Sequence, residues 1–226
     1  MPLNEPKFPI VVLISGTGSN LQALIDAVAQ GSLPVEIRAV ISNRANAEGL
    51  VRAKQAGIAT HALEHSSYPD RDSFDAALMF CIDGYRPELV VLAGFMRILT
   101  RGFVEHYSGR LINIHPSLLP EFPGLNTHRR AIESGKTEHG ASVHFVTPDV
   151  DGGPVILQAR VPVESGDTPE SLAARVLTQE HIIFPRVLRW FATRRVHLHG
   201  NQVILDGIAL SQPLLLESLH EAHATS

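Results

Sequence analysis

The sequence predicts an α/β fold, a Rossmann-like and mostly parallel sheet with helices on both faces. Three observations predict it. Short apolar runs such as Ile10-Val11-Val12-Leu13-Ile14 and Leu89-Val90-Val91-Leu92-Ala93 read as strands buried on both sides. Helix-period segments alternate with these runs along the first half of the chain. Glycines 31, 57 and 94 close successive elements, and strands and helices in this order predict a parallel sheet.

Strand one, over Ile10 to Ile14, leads through Ser15-Gly16-Thr17-Gly18-Ser19-Asn20 into a helix whose Leu21, Leu24, Ile25 and Val28 share a face and which stops at Gly31. Val35 to Ser42 is a strand, Ala47 to Ala56 a helix closed by Gly57, and Ile58 to Leu63 a strand. Asp72 to Tyr85 is a helix, and Leu89 to Ala93 a strand ending at Gly94. Thr100 to Tyr107 is helical and Arg110 to Ile114 a strand. After His115 the prolines 116, 120 and 123, with Gly124, predict a long ordered loop and no helix. Ala141 to Val146 and Pro154 to Val163 alternate as strands, expected as antiparallel additions. Thr168-Pro169-Glu170 opens a helix with a threonine cap and proline in its first turn, running to Thr193. Val196 to Leu198 and Val203 to Leu205 flank Gly200-Asn201 as a hairpin. The tail over 208–226 is expected to be partly disordered. The whole of 1–226 is read as one domain. Its N-terminal half, about 8–110, is the nucleotide-binding part. Its C-terminal half, about 111–207, holds the long loop and the second group of strands.

Composition narrows the function classes. The chain has 226 residues, 44% hydrophobic and 19% charged, with a net charge of −4. An acidic balance argues against broad contact with a nucleic-acid backbone. No apolar run approaches the roughly 20 residues that span a bilayer, and no leader precedes strand one. A cytoplasmic protein without membrane association is expected. One cysteine, Cys81, excludes an internal disulfide. The 12 histidines show no zinc spacing, so no metal is expected.

Two segments carry chemistry. The Ser-Gly-Thr-Gly-Ser-Asn turn sets free backbone N–H groups at a helix N-terminus, which suits an anion. Leu21 stands where a dinucleotide fingerprint needs its third glycine, so a single terminal phosphate is the better guest. The same turn is equally a tight strand-to-helix connection with Ser19 as a simple cap. Asn113-Ile114-His115-Pro116 closes a strand, and residues two apart share a face. Asn113 and His115 together can donate to a developing oxyanion, and His115 suits proton transfer near neutral pH. A carboxylate beside His115 would raise its pKa, and Asp151 in Asp151-Gly152-Gly153-Pro154 is the candidate. Spacing does not join Asp151 to His115, and a strand-end histidine or an Asp-Gly turn needs no function.

These blocks, with Ala93-Gly94-Phe95-Met96-Arg97-Ile98-Leu99, Ser117-Leu118-Leu119-Pro120 and His144-Phe145-Val146, closely resemble the phosphoribosylglycinamide formyltransferase family of the bacterial single-domain type, in order from about Ile10 to about Gly207. The resemblance implies the formyltransferase fold and transfer of a formyl group from 10-formyltetrahydrofolate, as cosubstrate, to the amine of glycinamide ribonucleotide in purine synthesis. It implies Asn113, His115 and Asp151 as the catalytic trio, and makes about 111–207 the folate-binding and catalytic half. It assigns Gly18, Ser19, Asn20 and Glu180 to the ribonucleotide, and Arg71, Met96, Arg97, Ile98, Leu99 and Asn113 to the folate, with parts of the segment from His144 to Asp151. Partners are small-molecule substrates and no nucleic acid, for a monomer or homodimer. Thr17 stands where asparagine is frequent, and Asn126 where many members have histidine. The initiator methionyl-tRNA formyltransferases and the formyltetrahydrofolate hydrolases share part of the pattern. A non-catalytic nucleotide sensor would need only the glycine turn.

Overall fold

The structure, a computed structural model, describes residues 7–219. Its main elements follow in order: β1 (Phe8–Ile14), α1 (Ser19–Ala29), β2 (Val35–Ser42), α2 (Glu48–Gln55), β3 (Ala59–Ala62), α3 (Arg71–Gly84), β4 (Leu89–Leu92), α4 (Arg101–His106), β5 (Leu111–His115), α5 (Thr127–Glu133), β6 (Glu138–Phe145), β7 (Val155–Pro162), α6 (Pro169–Ala192), β8 (Val196–His199), β9 (Gln202–Leu205), β10 (Ile208–Ala209) and β11 (Leu214–Leu215). The main sheet has the order β11-β7-β6-β5-β4-β1-β2-β3. Strands β3 through β5 in that order are parallel, and β6 pairs antiparallel with both β5 and β7.

Alternation along the strands builds two apolar layers. Ile10, Val12 and Ile14 of β1 face one core with Leu89 and Val91 of β4, under α1 and α6. Val11 and Leu13 face the other with Val90 and Leu92, under α3 and α4. Side chains two apart share a face, so a continuous apolar run is what a two-sided sheet demands. The long α6 starts on a capping box, Thr168 receiving from the Ser171 N–H while Ser171 receives from the Thr168 N–H. It carries Pro185 in its interior and keeps Ile183, Phe184, Val187 and Leu188 fully buried.

The described residues differ from the sequence reading in three places. The proline-rich loop is followed by a helix that was not foreseen, α5, which begins at Thr127, four residues after Pro123. The strand expected to end at Ile114 includes His115. The tail is ordered over its described part. Ile208–Ala209 extends the hairpin into a three-stranded sheet, and Leu214–Leu215 pairs in parallel with Leu157 and Gln158. Leu216 is buried, so apolar side chains anchor this segment. The last seven positions of the expected tail, 220–226, lie outside the described residues. Among the described residues no helix is long and apolar enough to cross a membrane.

Candidate active site

The strand order reverses between β1 and β4, and in open α/β sheets the crevice beyond such a point holds ligands. Ser15 ties the crevice together. Its hydroxyl donates to Asn43 Oδ1 (2.6 Å) and accepts from the Met96 N–H (2.7 Å), while its N–H donates to the Gly94 carbonyl (3.1 Å). Gly18, the residue before α1, has φ 72°, a conformation that glycine adopts freely. A side chain there would also meet Gly49 Cα of α2 at 2.6 Å.

Two clefts open at these strand ends, and neighbouring residues of the same two segments line them. One, of about 320 Å³, is lined by Ser15 to Asn20, Ala93, Gly94, Met96, Ile114, Pro116 and Glu180, with Arg44 as its basic side chain. The other is lined by Leu92, Phe95, Arg97, Ile98, Leu99, Asn113, His144 and the segment from Val146 to Asp151. The ribonucleotide candidates Gly18, Ser19, Asn20 and Glu180 therefore meet in one place. Asn20 Nδ2 donates to Glu180 Oε2 at 2.7 Å across 160 residues of sequence. Burial pushes the Glu180 carboxyl up, against the hydrogen bond from Asn20. Asn20 Oδ1 is buried with no protein partner, an acceptor left over at the cleft.

Of the folate candidates, Arg97, Ile98, Leu99 and Asn113 line the second cleft, whereas Met96 lines the first. Arg71 is exposed at the start of α3 and lines neither. Arg97 lies over the Phe74 ring at 4.7 Å and its buried Nε has no partner. A ring face therefore takes the place of an ion pair.

The catalytic candidates converge. Asn113 pairs with His144 in the β5–β6 register, and its amide N–H donates to His144 Nε2 at 3.1 Å. His144 Nδ1 donates to the Phe145 carbonyl at 2.8 Å, which leaves Nε2 as the acceptor. Asp151, at φ 51°, places Oδ2 3.4 Å from His115 Nδ1 and Oδ1 3.6 Å from His144 Nε2. Its Oδ2 also accepts from the Gly124 N–H at 2.8 Å. His115 Nε2 stands 3.0 Å from the Phe122 carbonyl. The link between Asp151 and His115 that spacing left open is thus made, through turns 122–124 and 149–153.

The charge on this pair differs from the expectation. The carboxylate does favour the charged imidazole, but burial of His115 outweighs it together with the Phe122 carbonyl, and the net shift is downward. Burial alone would push the Asp151 carboxyl up. His144, the Gly124 N–H and His115 outweigh it and hold the carboxyl below its ordinary value. Both nitrogens of His115 face acceptors, yet the neutral ring has one N–H. The pair is one proton short of satisfying every partner.

His144 was part of a quoted motif with no role in the charge network. The signal for it was register: pairing Asn113 with His144 puts them side by side on adjacent strands. Arg44 had no motif to flag it. Asn126 caps α5 from the left-handed region at φ 57°, a conformation asparagine tolerates better than most residues. Among the described residues no group of three or more His, Cys, Asp or Glu is arranged to hold a metal ion.

The family model for formyl transferases matches residues 8–188. The chain is 60% identical over 198 residues to the phosphoribosylglycinamide formyltransferase of Escherichia coli, which spans 88% of this chain and 93% of the relative. It is 48% identical over 201 residues to the enzyme of that name from Haemophilus influenzae, spanning 89% and 95%. The solved phosphoribosylglycinamide formyltransferase of Coxiella burnetii superposes with a TM-score of 0.89 at 58% identity, over 92% of this chain and 99% of that one. A formyltetrahydrofolate deformylase from Pseudomonas syringae superposes at 0.83 with 27% identity, over 89% and 67%. By family model, sequence and fold together, the chain belongs to the phosphoribosylglycinamide formyltransferase family.

Proposed function

We propose that this chain transfers the formyl group of 10-formyltetrahydrofolate to the amine of glycinamide ribonucleotide, giving the N-formyl product and tetrahydrofolate, in purine synthesis. The observation that carries the reading is the shared wall between the two clefts. Each of residues 92–97, with Asn113, Ile114 and Pro116, lines one cleft or the other, while His115, between them in sequence, lines neither. A phosphorylated amine seated at Gly18 to Asn20 and a formyl carrier seated over Arg97 to Leu99 would face each other across Asn113. We place the phosphate on the N–H groups at the start of α1, where the helix dipole favours an anion. Glu180 and Asn20 hold the polar body of the ribonucleotide, and Ile98 and Leu99 the apolar body of the folate. The substrates are small molecules and the setting is cytoplasmic.

In the proposed reaction the amine attacks the formyl carbon, and charge builds on the formyl oxygen. The free N–H of Asn113 donates to that oxygen, His144 holding the amide in place through the other. Such a donor contributes roughly 3 kcal/mol of transition-state stabilisation. The amine must lose a proton as the new C–N bond forms. The His115–Asp151 pair accepts it: a protonated His115 then donates to both Phe122 and Asp151, and as a cation it favours the oxyanion. The proton returns to the folate nitrogen as that C–N bond breaks. No covalent bond to the enzyme forms.

His115→Ala, Asp151→Ala and Asn113→Ala should each lower kcat by about 100-fold or more while both substrates still bind. The assay is absorbance of the deformylated folate, run with glycinamide ribonucleotide and with no acceptor. Near-normal kcat in the His115 or Asp151 variant would refute the assignment of the pair. Product formed equally without acceptor would replace transfer by hydrolysis, the reading the deformylase neighbour suggests.

A further inference from the structure

We propose that Arg130 is the positioning residue of the catalytic pair, acting through the backbone of Phe122 to Leu125; the inference rests on the roles proposed above for His115 and Asp151. Two groups of that short segment hold the pair from the same side. The Phe122 carbonyl faces His115 Nε2 at 3.0 Å, and the Gly124 N–H donates to Asp151 Oδ2 at 2.8 Å. Where the segment stands therefore fixes both the rotation of the imidazole and the approach of the carboxylate.

The segment cannot hold itself there by regular structure. It belongs to no strand or helix. Two of its residues take left-handed backbone, Phe122 at φ 52° and Gly124 at 78°, as does Asn126 just after it at 57°, and two of these three are not glycine. Such conformations persist only where surrounding contacts impose them. Leu125 is 71% exposed, so burial does not supply the constraint at the tip. Arg130 does. It reaches back from α5, and its Nη1 donates to the Pro123 carbonyl at 2.6 Å and stands 3.4 Å from the Leu125 carbonyl. Its guanidinium lies 5.5 Å over the Phe122 ring. One rigid, permanently charged fork thus spans the carbonyls on both sides of Gly124 and the side chain of Phe122. Two other fixed points lie at the start of the segment: the Phe122 ring packs against the core and edge-on to His139, and Glu121 next door accepts from Ser117 Oγ at its carbonyl (2.6 Å) and pairs its carboxylate with Lys136 (2.6 Å). Neither of those reaches past Phe122.

A residue that works this way sets turnover and leaves binding alone, because no group of Arg130 lines either cleft. Arg130→Ala should lower kcat by about 10- to 100-fold, the scale of an ångström-sized misplacement of reacting groups. KM for both substrates should stay within about twofold. Arg130→Lys, which keeps a charged donor for Pro123 and a cation over Phe122, should recover most of the lost kcat. Arg129→Ala, an exposed neighbour on the same helix, is the control and should change neither constant. Where Arg130→Ala fails to fold, Arg130→Gln is measured in its place, with the folded fraction set by thermal unfolding. A kcat within threefold of wild type per folded molecule overturns the proposal. So does a rise in KM that accounts for the loss, or a lysine variant no better than alanine. If His115→Ala itself keeps normal turnover, the catalytic assignment has failed instead, and the two failures are read from different variants.

Discussion

His139 offers the sharpest quantitative test of the electrostatics around the catalytic loop. It begins β6 at 1% exposure, edge-on to the Phe122 ring at 5.9 Å and to His128 at 5.2 Å. Neither ring nitrogen has a hydrogen-bond partner. Burial is the main cause of a pKa lowered from 6.5 to about 4, with His128 adding to it and the nearby Pro116 carbonyl opposing. The unfolded chain takes up this proton near pH 6.5, the folded chain only near 4. Between those values the unfolded state binds more protons, so stability is full above pH 6.5 and falls as pH drops toward 4. At 1.36 kcal/mol per unit, the group removes about 2–3 kcal/mol between pH 7.5 and 4.5. His139→Leu abolishes it with little change in volume and loses no hydrogen bond. Urea unfolding followed by circular dichroism at pH 7.5, 6.0 and 4.5 measures the difference. The variant should be about as stable as wild type at pH 7.5 and more stable by about 2–3 kcal/mol at pH 4.5. His181, also lowered by burial, contributes the same slope to both proteins, and Glu180, raised by burial, opposes it equally in both, whereas His115 and His128, lowered by burial too, couple to His139 and lose that small coupling in the variant. Equal losses in the two proteins, within about 0.5 kcal/mol, would refute the buried-neutral account of His139.

Two further substitutions probe the ribonucleotide side. Gly18→Ala combines a left-handed backbone with a Cβ 2.6 Å from Gly49 Cα, so the turn must shift. It should raise KM for the ribonucleotide at least tenfold and lower stability by about 1–3 kcal/mol, measured by steady-state kinetics and urea unfolding, while an unchanged KM would remove the phosphate from this turn. Glu180→Gln removes the charge that accepts from Asn20. KM for the ribonucleotide should rise by about tenfold with KM for the folate unchanged. An equal rise in both would mean that Glu180 only supports the fold.

The parallel half of the fold was legible because its signal is local. Strands buried on both faces are apolar throughout, and each ends at a turn residue: Ser15 after β1, Gly94 shortly after β4. What was missed lacks such a signal. Helix α5 spans Thr127–Glu133 and buries only Thr127 and Ala131, too short and too polar for a helical period to emerge. Leu214–Leu215 is two residues long and owes its place to β7, a partner that a local reading does not see. The same limit applied in the site. Asn113 and His115 sit two apart on one strand and were readable as a pair. Their neighbours are set by register and by turns: His144 arrives opposite Asn113 on β6, and Phe122 and Gly124 arrive through a loop. The pKa of His115 was misjudged for the same reason, since its burial comes from elements distant in the sequence.

The Asp-Gly-Gly turn shows how distant geometry leaves a local mark after all. A Cβ on Gly153 would stand 1.8 Å from the Phe145 carbonyl, and one on Gly152 2.9 Å from Asp149 Cβ. The chain doubles back so closely against the end of β6 that only hydrogen fits at both positions. That doubling back is what returns Asp151 to within 3.6 Å of His144 and 3.4 Å of His115. The two glycines and the left-handed Asp151 are therefore one device: close approach of backbone to backbone, used to deliver a carboxylate. Asp151 is held between two such turns, 122–124 and 149–153, while Asn113 and His115 sit on β5 and the groups assigned to the phosphate open α1. The amide and the imidazole are thus placed by the sheet, and the carboxylate by loops. Substitutions in the loops should accordingly move kcat before KM, as the Arg130 variants are expected to do.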